Sequence, residues 1–347
     1  MIKERNVELD LLRILACIAV IVIHIPIALN TNDCSRTSMI YQVYNVYDSL
    51  SRWCIPVFTM ISGCFLLNNN KEITIKSIYF KNIFRIVRAF IFWSIIYALY
   101  NLREDFEIKM FILNIMNGEW HMWYLFMITG LYIITPILRE IINKIDKKIL
   151  EYWLVLMFIF DIVIPFIRLV PNIESITEYI MNKGNIQFLC GYTLYYILGY
   201  YLSTYDISDK LKKRIYILGI IGMMFTIVGN AILPVLSVND EIGFNGYHCL
   251  NVFFMSIAIF IFFKNTVSKC EYIKVHSEKI YIISSKTFGI YLIHVLIIKI
   301  IGNYNFIKVN GISEIIILPL LSIAVFIICY IIVEILSKIK YINKFIL

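Results

Sequence analysis

The chain has 347 residues, of which 60% are hydrophobic and 16% charged, and its mean hydropathy is +0.77. That composition excludes a soluble globular protein and leaves a polytopic membrane protein, because most of the chain must lie in lipid. The net charge of +8 comes from Lys and Arg in short clusters between apolar spans. Charge distributed in that way is a topology signal, and no nucleic-acid partner is expected from it.

Apolar windows of about 20 residues predict ten transmembrane helices, near 9–29, 49–67, 83–101, 120–138, 150–168, 187–204, 215–236, 247–263, 286–301 and 314–336. The N-terminal MIKERNVEL precedes the first span without an A-x-A cleavage site, so the first span reads as a retained helix and not a signal peptide. With the N-terminus in the cytoplasm, the inner segments hold 21 Lys and Arg and the outer segments 7. The positive-inside rule therefore predicts that both termini are cytoplasmic. No polar or low-complexity linker divides the chain, and one all-α membrane domain is expected over 1–347.

The first span, LDLLRILACIAVIVIHIPIAL, carries Arg13 and His24. An ionisable side chain at membrane depth costs roughly 2.5 to 3.5 kcal/mol for Arg on insertion scales and so turns to a protein interior or a wet cavity. Eleven residues at about 100° each bring the two onto one helix face, about 16 Å apart. Arg13 then lies near the cytoplasmic face and His24 in the outer half of the membrane. Taken singly, Arg13 also reads as a snorkelling anchor and His24 as a helix-packing hydrogen bond.

The second span contains Pro56 to Gly63 (PVFTMISG), where small residues allow close helix approach. In KNIFRIVRAF, Arg85 and Arg88 open the third helix one turn apart. They suit bidentate phosphate binding at the cytoplasmic side, and equally they are part of the positive-inside signal. The fourth span opens on Glu119-Trp120-His121-Met122-Trp123-Tyr124-Leu125. This is an interfacial aromatic belt by composition, yet it also brings an acid and a second imidazole to the depth of His24. Asp161 in the fifth span needs a partner, with Arg168 two turns further on the same face, but the sequence assigns none. In the ninth span, Tyr291 and His294 share a face one turn apart. The eight Cys show no C-x-x-C spacing, so neither a metal site nor a disulfide framework is expected.

Taken in order, Leu9-Asp10-Leu11-Leu12-Arg13 with Arg13-x10-His24, the Pro56 to Gly63 segment, Arg85-x-x-Arg88, His121 to Leu125 and Tyr291-Leu292-Ile293-His294 resemble the membrane-bound acyltransferase 3 family. The resemblance implies a multi-pass O-acyltransferase, usually an O-acetyltransferase, of the bacterial plasma membrane. Such an enzyme takes an acyl group from acyl-CoA, usually acetyl-CoA, and places it on a hydroxyl of a cell-envelope or lipid-linked carbohydrate. A small stand-alone member is expected, since little sequence follows the tenth span. The resemblance also assigns catalysis to His24 with the essential Arg at Arg13. Asp10, Glu119, His121, Trp123, Tyr291 and His294 are supporting candidates, and Arg13, Arg85 and Arg88 are donor-binding candidates.

A hydroxyl is a poor nucleophile at neutral pH, so His24 as general base is the expected mechanism. Two rival classes use the same buried residues. A transporter or flippase would move a sugar or anionic substrate without acyl turnover, and a non-catalytic membrane sensor with this fold would bind without turnover.

Overall fold

The computed structural model describes residues 6–28, 35, 37–68, 73–167, 177, 179, 183–184, 189–232, 244–303 and 313–340. Its principal helices are α1 (Val7–Ala28), α2 (Met39–Ser51), α3 (Cys54–Leu66), α4 (Ile75–Asn101), α5 (Ile108–Asn117), α6 (Trp123–Lys144) and α7 (Lys147–Ile167). They continue with α8 (Thr193–Thr204), α9 (Asp209–Ile232), α10 (Leu250–Asn265), the short α11 (Glu271–Val275), α12 (Ser277–Asn303) and α13 (Glu314–Ser337). No strand occurs among the described residues, so the all-α expectation holds. Nine helical stretches among them are long and apolar enough to cross a membrane.

The sixth expected span, 187–204, corresponds to α8, whose described helix is 12 residues long and mostly buried. Two segments expected to be outer connections contain helices. The first, α2, starts at Met39, where the Ser38 side chain accepts the Tyr41 N–H and caps the helix. It buries Val43 and Tyr44 beside the polar Asn45 and Ser49, a mixed stripe that a hydropathy window passes over. The second, α5, buries none of its side chains and ends at Gly118, whose φ of +68° turns the chain sharply into Glu119 and Trp120.

Helix α1 is the hub of the bundle and packs against α2, α3, α12 and α13. It runs parallel to α12, since Arg13 meets Ser284 and His24 meets His294. On α13 the exposed Ile316, Leu320, Ile323, Ile327 and Ile331 recur at helical spacing and form an outward apolar stripe, as a bilayer-facing helix requires. The protein is therefore a multi-pass membrane protein.

Helices α3 and α8 touch backbone to backbone. A Cβ built on Gly63 would stand 1.8 Å from the Tyr196 carbonyl oxygen, and one on Gly199 would stand 2.0 Å from the Met60 carbonyl oxygen. The orphan carbonyls at the end of α3 are met from α6, where the Arg139 guanidinium donates to Leu66 O at 2.7 Å and Asn68 O at 2.8 Å. A cation there also complements the helix dipole.

Candidate active site

Three imidazoles converge between α1, α12 and the turn that opens α6. His24 Nδ1 lies 2.8 Å from His294 Nε2, and the two rings are stacked at 5.1 Å. His294 Nδ1 lies 2.6 Å from the Tyr291 carbonyl oxygen. A carbonyl only accepts, so His294 donates from Nδ1, and its neutral ring has an acceptor at Nε2. The 2.8 Å contact then requires His24 to donate from Nδ1. Consequently, with both rings neutral, His24 carries its lone pair on Nε2.

His121 completes the group, with its ring 5.2 Å from that of His294 and perpendicular to it. It is 1% exposed, and among the described residues neither of its ring nitrogens meets a partner in hydrogen-bond geometry. The Tyr291 hydroxyl donates to the His121 backbone carbonyl and ties α12 to the start of α6. Next to His294 the Tyr97 hydroxyl bridges the Leu292 carbonyl at 2.9 Å and the Leu296 amide at 3.0 Å, the pair that an uninterrupted helix would bond directly. Tyr97 is buried and so fixes α12 beside the imidazoles. Glu119 is spent on Lys299 at 2.7 Å and Asn101 at 3.1 Å, an arrangement that leaves it a structural partner and not a free base.

A cavity of about 590 Å³ approaches this group from the end of the bundle that carries Lys76, Lys81, Lys269 and Lys274. Arg13, Arg85, Ser284 and Thr287 line it along with Phe58, Tyr124 and Tyr291. Arg13 donates to Asp10 Oδ1 and Ser284 Oγ, both at 3.2 Å, while Ser284 donates to the same Asp10 oxygen at 2.9 Å. Asp10 is buried, so the carboxylate anchors Arg13 in a fixed pose at the cavity wall. Arg85 reaches over the Phe288 ring at 5.2 Å.

The structure thus brings together His24, His121, Tyr291 and His294 as one group, and Asp10, Arg13 and Arg85 around one cavity. It does not bring Arg88 to that cavity. Its side chain is exposed and donates to Phe84 O in its own helix, because a three-residue step turns it roughly 60° away from Arg85. Nor does Trp123 line the cavity, since its ring lies against Tyr192 and Tyr247. Ser284, Tyr97 and Lys299 were missed by sequence reasoning, being common residue types that become informative only through their partners. Asp161 meets His248 at 2.7 Å; Arg168 lies outside the described residues. Among the described residues no group of three or more His, Cys, Asp or Glu could hold a metal ion.

The fold and site are those of a multi-pass helical membrane bundle with three clustered imidazoles beside an arginine-lined cavity. The family model described as an acyltransferase domain matches residues 6–334, nearly the whole chain. The chain belongs to this family, acyltransferase 3, and is a membrane acyltransferase. No match was found among curated proteins or among solved structures.

Proposed function

We propose that the protein is an O-acyltransferase that moves an acyl group, in the first instance acetyl, from acyl-CoA to a hydroxyl of an envelope or lipid-linked carbohydrate. The observation that carries this reading is the chain from the Tyr291 carbonyl through His294 to His24, which presents an unprotonated Nε2 on His24. That is the form a general base needs.

In this reading the phosphates of a cytoplasmic acyl-CoA sit at the basic end, held by Arg13 and Arg85, and the pantetheine arm follows the cavity toward Tyr291. As the acceptor oxygen attacks the thioester carbonyl, His24 Nε2 takes the hydroxyl proton. The new imidazolium keeps its Nδ1–H on His294, whose own Nδ1–H stays on the Tyr291 carbonyl, so positive charge is spread along the chain. Collapse of the tetrahedral intermediate breaks the C–S bond, and the departing thiolate takes the proton from Nε2. His24 returns to its starting form without any other proton donor. In such a step Arg13 and Arg85 bind, His24 is the catalytic residue and His294 is a positioning residue. Acyl transfer then takes place in a bacterial plasma membrane.

The test supplies CoA carrying a labelled acetyl group to membranes containing the protein and follows the label. Label on envelope glycan supports the reading. Movement of a sugar or anion without label on glycan would overturn it in favour of a transporter.

Two further results are expected. Arg13→Gln, which removes the charge but keeps a hydrogen-bonding side chain, should raise KM for acetyl-CoA about tenfold with a smaller change in kcat, as loss of ground-state phosphate binding does. An unchanged KM would remove Arg13 from the donor site. His294→Phe should lower kcat about tenfold or more and leave the acetyl-CoA KM in place, because it loses the acceptor that fixes the His24 tautomer. His294→Gln, able to donate to the Tyr291 carbonyl and accept from His24, should recover part of that loss. Equal activity of the two variants would show that these two hydrogen bonds do not set the rate.

A further inference from the structure

Trp120, Trp123, Tyr192, Tyr247 and His248 do not line the cavity, yet they form an aromatic shelf whose Trp120 end meets the His24 ring. Trp120 meets His24 edge-on at 4.7 Å and is 47% exposed. Three residues on, Trp123 is 39% exposed and lies nearly parallel to Tyr247 at 6.0 Å, with Tyr192 at 5.8 Å on its flank. Tyr192 in turn meets the His248 ring at 4.7 Å.

The far end of the shelf is chemically unlike an interfacial belt. Asp161 sits in a π-helical turn of α7, Ile159–Val163, a local irregularity often found at functional sites. Its carboxylate is fully engaged: Oδ1 accepts the Gly191 N–H at 2.6 Å and Oδ2 accepts the His248 Nδ1–H at 2.7 Å. The φ of +88° at Gly191 is the left-handed backbone conformation that glycine adopts readily. Asp161 is 7% exposed, whereas the His248 side chain is 31% exposed. A buried carboxylate is thus used to hold Nδ1 of a partly exposed imidazole, and Nε2 is the nitrogen outside that bond. The second edge carries Arg52, 5.9 Å over the Tyr247 ring, clamped by both carboxylate oxygens of Asp48 at 2.8 and 2.5 Å.

Rings that anchor a protein at a membrane surface need only apolar bodies and polar tips. They require neither a carboxylate-oriented imidazole nor a carboxylate-clamped guanidinium. A pyranose asks for this combination, since its axial C–H faces stack on aromatic rings while its rim of hydroxyls takes oriented donors and acceptors.

We propose that the shelf from Trp120 through Trp123, Tyr192 and Tyr247 to His248 is the acceptor subsite, seating one sugar ring on Trp123 with a hydroxyl on His248 Nε2. The inference rests on the O-acyltransferase reading and deepens it. Donor and acceptor then reach His24 from different sides: the thioester from the arginine-lined cavity, the hydroxyl from the aromatic shelf. Such separation explains why Trp123 stands apart from the cavity.

The experiment uses the full-length protein in nanodiscs with acetyl-labelled CoA, titrating the host envelope glycan fraction that takes up label. Trp123→Ala and His248→Gln should each raise the glycan concentration for half-maximal rate about tenfold, with the acetyl-CoA KM unchanged. Trp123→Phe, which keeps a stacking ring, should stay within about threefold of the parent and so separates lost stacking from lost fold. A labelled glycan whose half-saturating concentration is unchanged in both variants overturns the shelf alone. An equal rise in the acetyl-CoA KM overturns it too, since the residues would then serve the whole fold. If the parent protein labels no glycan, the proposed function falls and the shelf with it.

Discussion

Replacing His24 by Ala is expected to lower acyl transfer by about 10² to 10⁴-fold while the protein still inserts, folds and binds acyl-CoA. The size follows from what a positioned base contributes, and the selectivity from the contacts. His24 accepts no hydrogen bond that holds the fold. Its partner His294 keeps the bond to the Tyr291 carbonyl, and Tyr97 still pins α12 at Leu292 and Leu296. Arg13, about 16 Å away along the same helix, keeps both Asp10 and Ser284. Donor affinity and thermal stability should therefore change little. His24→Gln, isosteric in part but unable to take a proton, should be as inactive as the Ala variant. Parent-like turnover in either variant, measured as labelled acetyl transferred per minute, would remove His24 from the chemistry.

A second large effect is expected from a methyl group. Gly63→Ala or Gly199→Ala should strongly lower the melting temperature in detergent, because neither new Cβ has anywhere to go. The obstacles, Tyr196 O at 1.8 Å and Met60 O at 2.0 Å, are backbone atoms of the opposite helix and cannot swing aside like a side chain tip. To relieve the clash α3 and α8 must part, and over-packing of this kind typically costs about 1 to 3 kcal/mol or more. Helix–helix affinity in a membrane depends on close packing, so the lost contact has little hydrophobic compensation. The two substitutions occupy one crossing and should not add: once the helices have separated for the first Cβ, the second finds space. Activity should fall as well, since Ile55, Phe58 and Ser62 of α3 line the cavity beside the imidazoles. Gly130 supplies the control, as a Cβ there meets nothing within 4 Å, and Gly130→Ala should melt like the parent. Melting of Gly63→Ala and Gly199→Ala at the parent temperature would refute the backbone-to-backbone crossing.

Much of the architecture was legible beforehand because the bilayer imposes it. A lipid environment demands helices of a given length with apolar surfaces, and that demand is local, so windows of hydropathy found the helices. The same windows passed over α2 and α5. The mixed stripe of α2, with Asn45 donating to the Ile227 carbonyl at 2.9 Å, is dictated by its neighbours α1 and α9 and not by lipid. The common face of Arg13 and His24 was likewise a local fact, fixed by helical periodicity.

What the sequence by itself determined is the helical membrane class, the acyltransferase 3 family and the polar face of α1. Each depends on residues close together in the chain or on the order of short motifs. Only the tertiary structure decided which side chains meet. His24 pairs with His294 across 270 residues, Asp161 meets His248 across 87, and Glu119 is claimed by Lys299. Only it separated Arg85, which lines the cavity, from Arg88, which returns to its own backbone. Hydrogen bonds act over about 3 Å, and which atoms come that close depends on how whole helices pack. The direction of the proton on His24 belongs to this second class, because it is set by the Tyr291 carbonyl two bonds away on another helix.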